Sequence, residues 1–249
     1  MHRLQGTVAE RLERAGKYLL LHLSSEDRLL LHLGMTGQIF TNTAHSPRLL
    51  RKTATATVPP EKQPSFKPDA HTHLQFEFVD GAPAIYFRDV RKFGKVKLLA
   101  PKESDARLDK LGIDALLATG EYLYKKTRTR KAPIKSVLLD QTVLAGVGNI
   151  YADESLFAAK VAPKKAAKQL SKTHCDAVAA EIRKVLQRSI ETGGSSISDY
   201  IAPDGADGGF QDERQVYART DSPCYRCNTP IARTTIAQRS THYCPRCQR

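Results

Sequence analysis

Long apolar runs are missing from this chain of 249 residues. No stretch of about 18 consecutive apolar residues is present, so a transmembrane helix is not expected. Residues 1–6 also lack the hydrophobic core of a secretory signal peptide. We therefore predict an intracellular protein in a reducing, cytoplasmic compartment, without a membrane partner.

Acidic residues are scarce relative to basic ones. Lysine and arginine number 39 against 26 aspartates and glutamates, which gives a formal net charge of +13. An excess of this size favours a polyanionic partner, although charge alone also fits a generic basic protein. The length is sufficient for a sizeable core and fits two compact domains.

Cysteine is limited to five positions, and four of these form two C-x-x-C pairs that are separated by sixteen residues. This spacing is typical of four thiolates around one tetrahedral zinc ion. Two disulfides are the alternative, but paired C-x-x-C units in a chain without a signal peptide favour zinc. Because four thiolates leave no open coordination position, we expect one structural Zn²⁺ held by Cys224, Cys227, Cys244 and Cys247.

The segment that carries these cysteines contains no acidic residue. The metal would therefore stiffen a short hairpin whose charge is all positive, and such a tip suits phosphate groups. The arginines on which this interpretation depends are Arg233, Arg239, Arg246 and Arg249.

Apolar patterning divides the chain into a strand-rich first part and a helical second part. Apolar runs at 17–23 and 28–33 are typical of strands, as is the alternation near 74–79 and 84–87. Beyond Pro101 the apolar residues recur at helical spacing. We predict an α+β fold with an N-terminal β-sandwich at 1–100 that includes a long exposed loop at about 41–70, a linker at 101–130, a helical domain at 131–212 and a zinc finger at 213–249.

Two glycines interrupt the helical part at Gly146-Val147-Gly148-Asn149. We predict one helix from Ile134 before this break, a second at 150–159 after it, and a third at 171–192. The exposed amides of such a turn can bind a phosphate at the N-terminus of a helix. An ordinary helical hairpin is the alternative, and the basic zinc hairpin that follows favours the phosphate interpretation.

Several motifs together resemble the bacterial formamidopyrimidine-DNA glycosylase family. The resemblance covers nearly the whole chain apart from residues 41–70. The resemblance implies a helix-two-turn-helix domain at 131–212 and a monomer associated with the nucleoid. It also implies a DNA glycosylase and AP lyase that flips and removes oxidised purines, such as 8-oxoguanine and formamidopyrimidines, from duplex DNA. The motifs are Arg14–Leu20, His32–Gly37, Asp89–Gly94, Leu139–Glu154, Gly193–Ser196, Gln215–Arg219 and Gln238–Gln248.

The same resemblance assigns roles to individual residues. Met35, Arg91 and Phe93 resemble the family's intercalating triad, which fills the space that a flipped base leaves. Met35 and Phe93 taken singly would more often lie in a core, but glycine-flanked motifs place them on loop tips. Lys17 resembles a hairpin lysine that contacts the DNA backbone near the lesion, and Lys135 resembles a lysine of the base pocket. Either lysine could instead be a solvated surface residue.

Further DNA contacts are implied by the resemblance. Asn149 and Arg239 resemble a pair that holds the phosphates flanking the flipped nucleotide, and His71 is added to the DNA-binding set. Residues 195–210 resemble a mobile loop that closes over the extruded purine, a role for which glycine-rich composition is suitable. The residues expected in or beside this loop are Ser195, Gly205, Gly208 and Tyr217.

The chain departs from the family pattern at its first residues. The family begins with Met-Pro-Glu-Leu-Pro-Glu and uses the amine of the proline as nucleophile, whereas this sequence begins with Met1-His2-Arg3-Leu4. A start codon assigned too late is one explanation, which we favour. A shortened relative that binds lesions or abasic sites without cutting is the other. As given, the chain is expected not to excise oxidised purines, and its sandwich is expected to be incomplete.

A relative for oxidised pyrimidines, endonuclease VIII, shares the expected scaffold. Phe93 and the C-terminal run from Gln238 to Gln248 favour the purine enzyme.

Overall fold

The chain folds into two compact units. The computed structural model describes residues 3–44, 65–195 and 202–249. The first unit comprises residues up to 102, apart from 14–17, together with 192–212, and the second comprises 14–17, 103–191 and 213–249. Most of the loop expected at 41–70 lies outside the described residues, and the domain boundaries expected at 100, 130 and 212 stay predictions.

The first unit is built from β-strands arranged in two sheets. One sheet has the strand order β1-β2-β3-β7, and the other has the order β4-β6-β5. Within the described residues the strands are β1 (Ala9–Ala15), β2 (Tyr18–Leu23), β3 (Arg28–His32), β4 (Gly37–Thr41), β5 (Thr72–Phe76), β6 (Ile85–Asp89) and β7 (Lys95–Leu99).

Leucines fix the centre of the larger sheet. Strands β2 and β3 pair antiparallel with Leu20 opposite Leu30, and both side chains are buried. The apolar runs that predicted these two strands are therefore confirmed. The smaller sheet has its own aromatic cluster, in which the Phe66 ring lies 4.9 Å from Phe40 and 5.1 Å from Tyr86.

Strand β1 was not predicted from the sequence. Its residues read Ala-Glu-Arg-Leu-Glu-Arg-Ala and most of them are exposed, so they show no apolar alternation. Pairing with β2 rather than burial of a face makes this segment a strand.

The second unit is mainly helical and ends in a two-stranded hairpin. Its helices correspond to the three predicted at 134, 150–159 and 171–192, with one more inside the expected linker. Its elements are β8 (Ile113–Asp114), α1 (Gly120–Thr127), α2 (Ile134–Leu139), β9 (Leu144–Ala145), α3 (Asn149–Ala158), α4 (Lys172–Glu191), β10 (Ala232–Ile236) and β11 (Arg239–Tyr243).

The expected linker at 101–130 contains helix α1. The hydroxyl of Thr119 caps this helix by accepting a hydrogen bond of 3.2 Å from the amide of Tyr122. Leu123 is fully buried on the inner face, and so is Thr127, whose hydroxyl donates to the carbonyl of Tyr124 at 2.9 Å. A polar segment of this kind can be helical when every third or fourth residue is buried, as Gly120, Leu123 and Thr127 are here.

One apolar core joins all four helices of the second unit. Ile134 and Leu138 of α2, Leu156 of α3 and Ile182 of α4 are all fully buried there. Among the described residues, every helix is either too short or too polar to cross a membrane.

Candidate nucleic-acid interface and zinc centre

The four paired cysteines meet at one point. Their Sγ atoms all lie within 4.8 Å of one another. The separations are 3.4 Å for Cys227 and Cys247, 3.5 Å for Cys227 and Cys244, and 4.0 Å for Cys224 and Cys247. A disulfide needs about 2.05 Å between sulfurs, so the cysteines are not paired covalently. Tetrahedral zinc with Zn–S bonds of about 2.3 Å requires sulfurs about 3.8 Å apart, and the observed separations bracket that value.

The surroundings of the sulfurs also suit thiolates. The amide of Arg226 donates to Cys224 Sγ at 3.4 Å, and the amide of Cys247 donates to Cys244 Sγ at 3.4 Å. Such hydrogen bonds favour the charged form of a ligand. The cysteines pack with Phe157, Val216 and Ile231 in a small apolar cluster, which ties the metal centre to helix α3.

A tight turn joins β10 to β11 and presents Arg239. The register pairs Ile236 with Arg239, so only Ala237 and Gln238 form the loop, with φ values of 50° and 58°. Two positive φ values in a two-residue loop are typical of a type I′ turn, which normally uses glycine or asparagine. Arg239 follows directly and is exposed.

Asn149 and Lys17 lie beside this arginine. Asn149 is the first residue of α3, and its Nδ2 donates to the carbonyl of Ser240 at 3.0 Å. A Cβ atom added at Gly148 would lie 3.9 Å from Lys17 Nζ, so the lysine amine borders the same turn. Although Lys17 is exposed, nearby protein atoms lower its pKa by desolvation, and the charge of Arg239 lowers it further. Three of the expected DNA-contacting residues are thus brought together in the second unit.

Lys135 does not reach the surface. Its side chain is fully buried and its ammonium lies 2.7 Å from Asp153 Oδ1 in an ion pair that is itself buried. Nζ also donates to the carbonyl of Ser240 at 2.8 Å and to the hydroxyl of Thr241 at 2.9 Å. Burial lowers the pKa of Lys135, and the carboxylate of Asp153 opposes that shift. The expected contact with a base stays a prediction that none of these partners supports.

Glu154 holds the main chain near the candidate site, a role that the sequence did not predict. Its carboxylate accepts hydrogen bonds from three consecutive amides, those of Gln215 at 2.8 Å, Val216 at 3.0 Å and Tyr217 at 2.8 Å. Burial raises the pKa of Glu154 in spite of these bonds. The Tyr217 ring contacts the His242 ring at 4.9 Å. Glu154 therefore fastens the segment that follows the expected lesion loop to helix α3.

Two loop tips in the first unit carry the expected intercalating side chains. Met35 is 59% exposed and Phe93 is 52% exposed, which is unusual for residues of these types. Arg91 joins them, because its Nη1 lies 3.5 Å from Met35 Sδ and its guanidinium lies 4.8 Å from the Phe93 ring centroid. The structure thus brings these three side chains into one exposed cluster.

A single buried carboxylate holds the two tips together. Asp89 Oδ1 accepts from the Thr36 hydroxyl at 2.5 Å and from the Arg91 amide at 3.3 Å, while Oδ2 accepts from the Gly94 amide at 2.6 Å. Burial alone would raise the pKa of Asp89, but these hydrogen bonds outweigh it and hold the pKa below 3.8. The tips approach so closely that a Cβ atom at Gly34 (φ 65°) would lie 2.7 Å from the Gly94 nitrogen.

The other residues expected to contact DNA or to lie in the lesion loop all belong to the first unit. The carbonyl of half-buried His71 accepts from the amide of Asp89 at 2.9 Å, so His71 borders the tips. Gly205 has a φ of 96° in a tight loop, and Gly208 lies against Gly194, where a Cβ atom would come within 2.3 Å of the carbonyl oxygen. Ser195 is described, but residues 196–201 of the expected lesion loop lie outside the described residues.

Family models match three parts of the chain. Residues 1–96 match a model described as the formamidopyrimidine-DNA glycosylase N-terminal domain, and residues 111–201 match the H2TH domain of the same glycosylase. Residues 221–249 match a zinc finger found in FPG and IleRS. The prediction of a structural zinc is thereby confirmed from the cysteine geometry and the matched family together.

Similar proteins are known in many bacteria. A formamidopyrimidine-DNA glycosylase of Ligilactobacillus salivarius is 37% identical over all of this chain and 84% of its own length. One of Roseiflexus is 41% identical over 95% of this chain and 80% of its own length.

Solved structures show the same fold. The MutM (FPG) protein of Thermus thermophilus superposes with a TM-score of 0.82 at 33% identity, covering 98% of this chain and 84% of its own. The Lactococcus lactis Fpg bound to DNA with an abasic site gives a TM-score of 0.81 at 33% identity, covering 100% and 84%. A mutant of the same protein, solved with DNA containing Fapy-dG, also gives 0.81.

Zinc content provides a direct test of the metal centre. We expect about one equivalent of zinc per chain, and we expect the Cys244→Ser variant to lose it, because removing one thiolate opens the shell. Metal analysis by mass spectrometry measures both. The control is Cys175→Ala, a buried cysteine outside the cluster, which should retain zinc. Less than about half an equivalent in soluble wild-type protein would contradict the assignment.

The Asp89 network predicts a pH-dependent loss of stability. Asp89→Asn should lower the free energy of unfolding by about 1.5–3 kcal/mol at neutral pH, since buried hydrogen bonds to a charged acceptor are lost. Because the native pKa lies below 3.8, this contribution is complete above that value and disappears as the pH falls through the native pKa. Urea unfolding at several pH values should show the two proteins converging in acid. Exposed Asp109→Asn is the control, and equal stabilities at neutral pH would refute the role of Asp89.

Proposed function

The chain belongs to the formamidopyrimidine-DNA glycosylase family, and from this premise we propose that the protein, in a form that carries the family's N-terminal amine nucleophile, removes oxidised purines from duplex DNA and cleaves the resulting abasic sites. Membership makes it a base-excision DNA glycosylase with DNA as its partner. The purine preference and the lyase step are the proposal. A monomeric state and association with the nucleoid stay predictions.

The exposed cluster of Met35, Arg91 and Phe93 is the observation that best supports base flipping, and Phe93 within it favours the purine preference. An apolar thioether and an aromatic ring held in solvent cost free energy unless they are buried on binding. Between base pairs they replace the stacking that is lost when a nucleotide leaves the duplex. The guanidinium between them can donate to the base that has lost its partner. Asp89 keeps all three in place before DNA arrives.

The second unit provides groups that suit phosphates. Helix α3 begins at Asn149 and no side chain caps its N-terminus, which is the end of a helix that favours an anion. Lys17 and Arg239 add positive charge at the same helix end. We infer that these groups bind phosphates near the extruded nucleotide, which positions the DNA without reading its sequence.

Borohydride trapping tests the proposed chemistry. Excision by an amine that attacks the sugar C1′ leaves an imine, which borohydride reduces to a stable covalent link. The full-length protein, as its own cells make it, should be trapped on a duplex containing 8-oxoguanine and should release that base. An undamaged duplex is the control. Trapping on dihydrouracil but not on 8-oxoguanine would instead support the alternative preference for oxidised pyrimidines.

Arg239→Ala should weaken DNA binding in a sequence-independent way. The loss of one phosphate contact should lower affinity about tenfold and reduce the slope of log K against log salt by about 1. Fluorescence anisotropy on lesion and undamaged duplexes at several salt concentrations measures both quantities. Arg107→Ala, a change at an exposed arginine outside the hairpin, is the matched control. A change in lesion preference with an unaltered salt slope would exclude a phosphate contact.

A further inference from the structure

The ammonium of Lys135 is surrounded by oxygen atoms of the protein. An ammonium group has three N–H donors and no acceptor. Its three partners are Asp153 Oδ1 at 2.7 Å, the Ser240 carbonyl at 2.8 Å and the Thr241 hydroxyl at 2.9 Å. The side chain is fully buried. This ammonium is therefore engaged by protein atoms through two hydrogen bonds and one ion pair.

These partners converge on the main chain of one short segment, residues 239–242. The Thr241 hydroxyl donates to the Arg239 carbonyl at 3.2 Å, so Lys135 reaches that carbonyl through one hydroxyl relay. Asp153 Oδ2 accepts from the His242 amide at 2.9 Å. The lysine and its aspartate thus act on the main chain at Arg239, Ser240 and His242 and on the hydroxyl of Thr241, all within one run of β11.

The segment also needs such support. Ala237 and Gln238 adopt positive φ values without being glycine, which costs roughly 1–2 kcal/mol per residue. A strained turn persists only when the surrounding structure determines it. On one side of the turn, β10 pairs with β11. On the other side, the buried network around Lys135 holds the start of β11.

We propose that Lys135 is a positioning residue for the phosphate-binding group of the second unit. With Thr241 and Asp153 it fixes the main chain so that Arg239 projects beside Asn149, whose Nδ2 shares the Ser240 carbonyl at 3.0 Å. This inference rests on the proposed phosphate contact of Arg239. In this inference Lys135 does not contact the flipped base. It acts on DNA binding indirectly, by fixing the position of Arg239 in the hairpin.

A double-mutant cycle tests the inference without disturbing the ion pair. Thr241→Val removes only the hydroxyl relay and should weaken binding to duplex DNA with an abasic-site analogue by about 3–10-fold. In the Arg239→Ala background the same change should have no further effect, because the group that it positions is gone. Thr241→Ser should restore affinity. Thr127→Val, which removes another buried hydroxyl, is the matched control and should bind as the wild type does.

A second pair of changes addresses Lys135 directly. Removing Lys135 alone would leave Asp153 charged and buried, which is strongly destabilising, whereas replacing both partners with apolar residues is often tolerated. The variant Lys135→Met with Asp153→Leu should retain zinc and bind DNA with the weakened affinity and lower salt slope of Arg239→Ala. Adding Arg239→Ala to it should change neither quantity further.

The outcomes separate this inference from the proposed function. If the wild type does not bind duplex DNA, the proposed function fails. If the wild type binds and Arg239→Ala weakens binding, but Thr241→Val weakens it equally in both backgrounds, the positioning role is overturned. It is also overturned if Thr241→Val leaves the affinity of the otherwise wild-type chain unchanged.

Discussion

A carboxylate that is withdrawn from water must receive hydrogen bonds on its oxygens, or its burial costs several kcal/mol. This constraint organises the candidate DNA-binding residues in each unit. Asp89 meets it with a hydroxyl and loop amides, and so locks two tips together. Asp153 meets it with an ammonium and the His242 amide, and Glu154 with three consecutive amides. In each case the groups that satisfy the carboxylate belong to segments that carry expected DNA contacts.

The zinc centre and the buried carboxylates depend on one another within the second unit. A hairpin of this length has too little apolar area to fold alone, so metal binding contributes directly to its folding. The metal orders the cysteines, but it does not by itself orient the hairpin tip. Asp153 and Glu154, adjacent on α3, supply that orientation by holding the main chain within the cysteine-rich segment, at His242, and just before it, at Val216. The exposed surface of this hairpin is positively charged, because residues 222–249 contain no acidic residue.

The sequence predicts the elements whose burial is periodic, and the exceptions have physical causes. Leu20 and Leu30 identified β2 and β3, and the glycines at 146 and 148 identified the boundary before α3. Strand β1 was missed because its pairing, and not an apolar face, makes it a strand. The roles of Asp153 and Glu154 were missed as well, although two adjacent acids in an otherwise apolar helix are a usable signal. Lys135 shows what a sequence motif cannot predict. The motif gives the position of this lysine in the chain, but not whether its amine is buried or faces solvent.

Under the proposed function, the two units would contribute different kinds of binding energy. Phosphate contacts by Arg239, Lys17 and the first turn of α3 would be strong, screened by salt and indifferent to sequence. In the proposed intercalating role, the exposed Met35 and Phe93 would gain only when a base pair has already opened, because stacked DNA gives them no site. Phosphate binding can therefore offset the cost of opening, while the apolar tips stabilise only the opened state. A damaged pair opens at lower cost than an intact one, so this arrangement favours lesions before any contact with the damaged base is made.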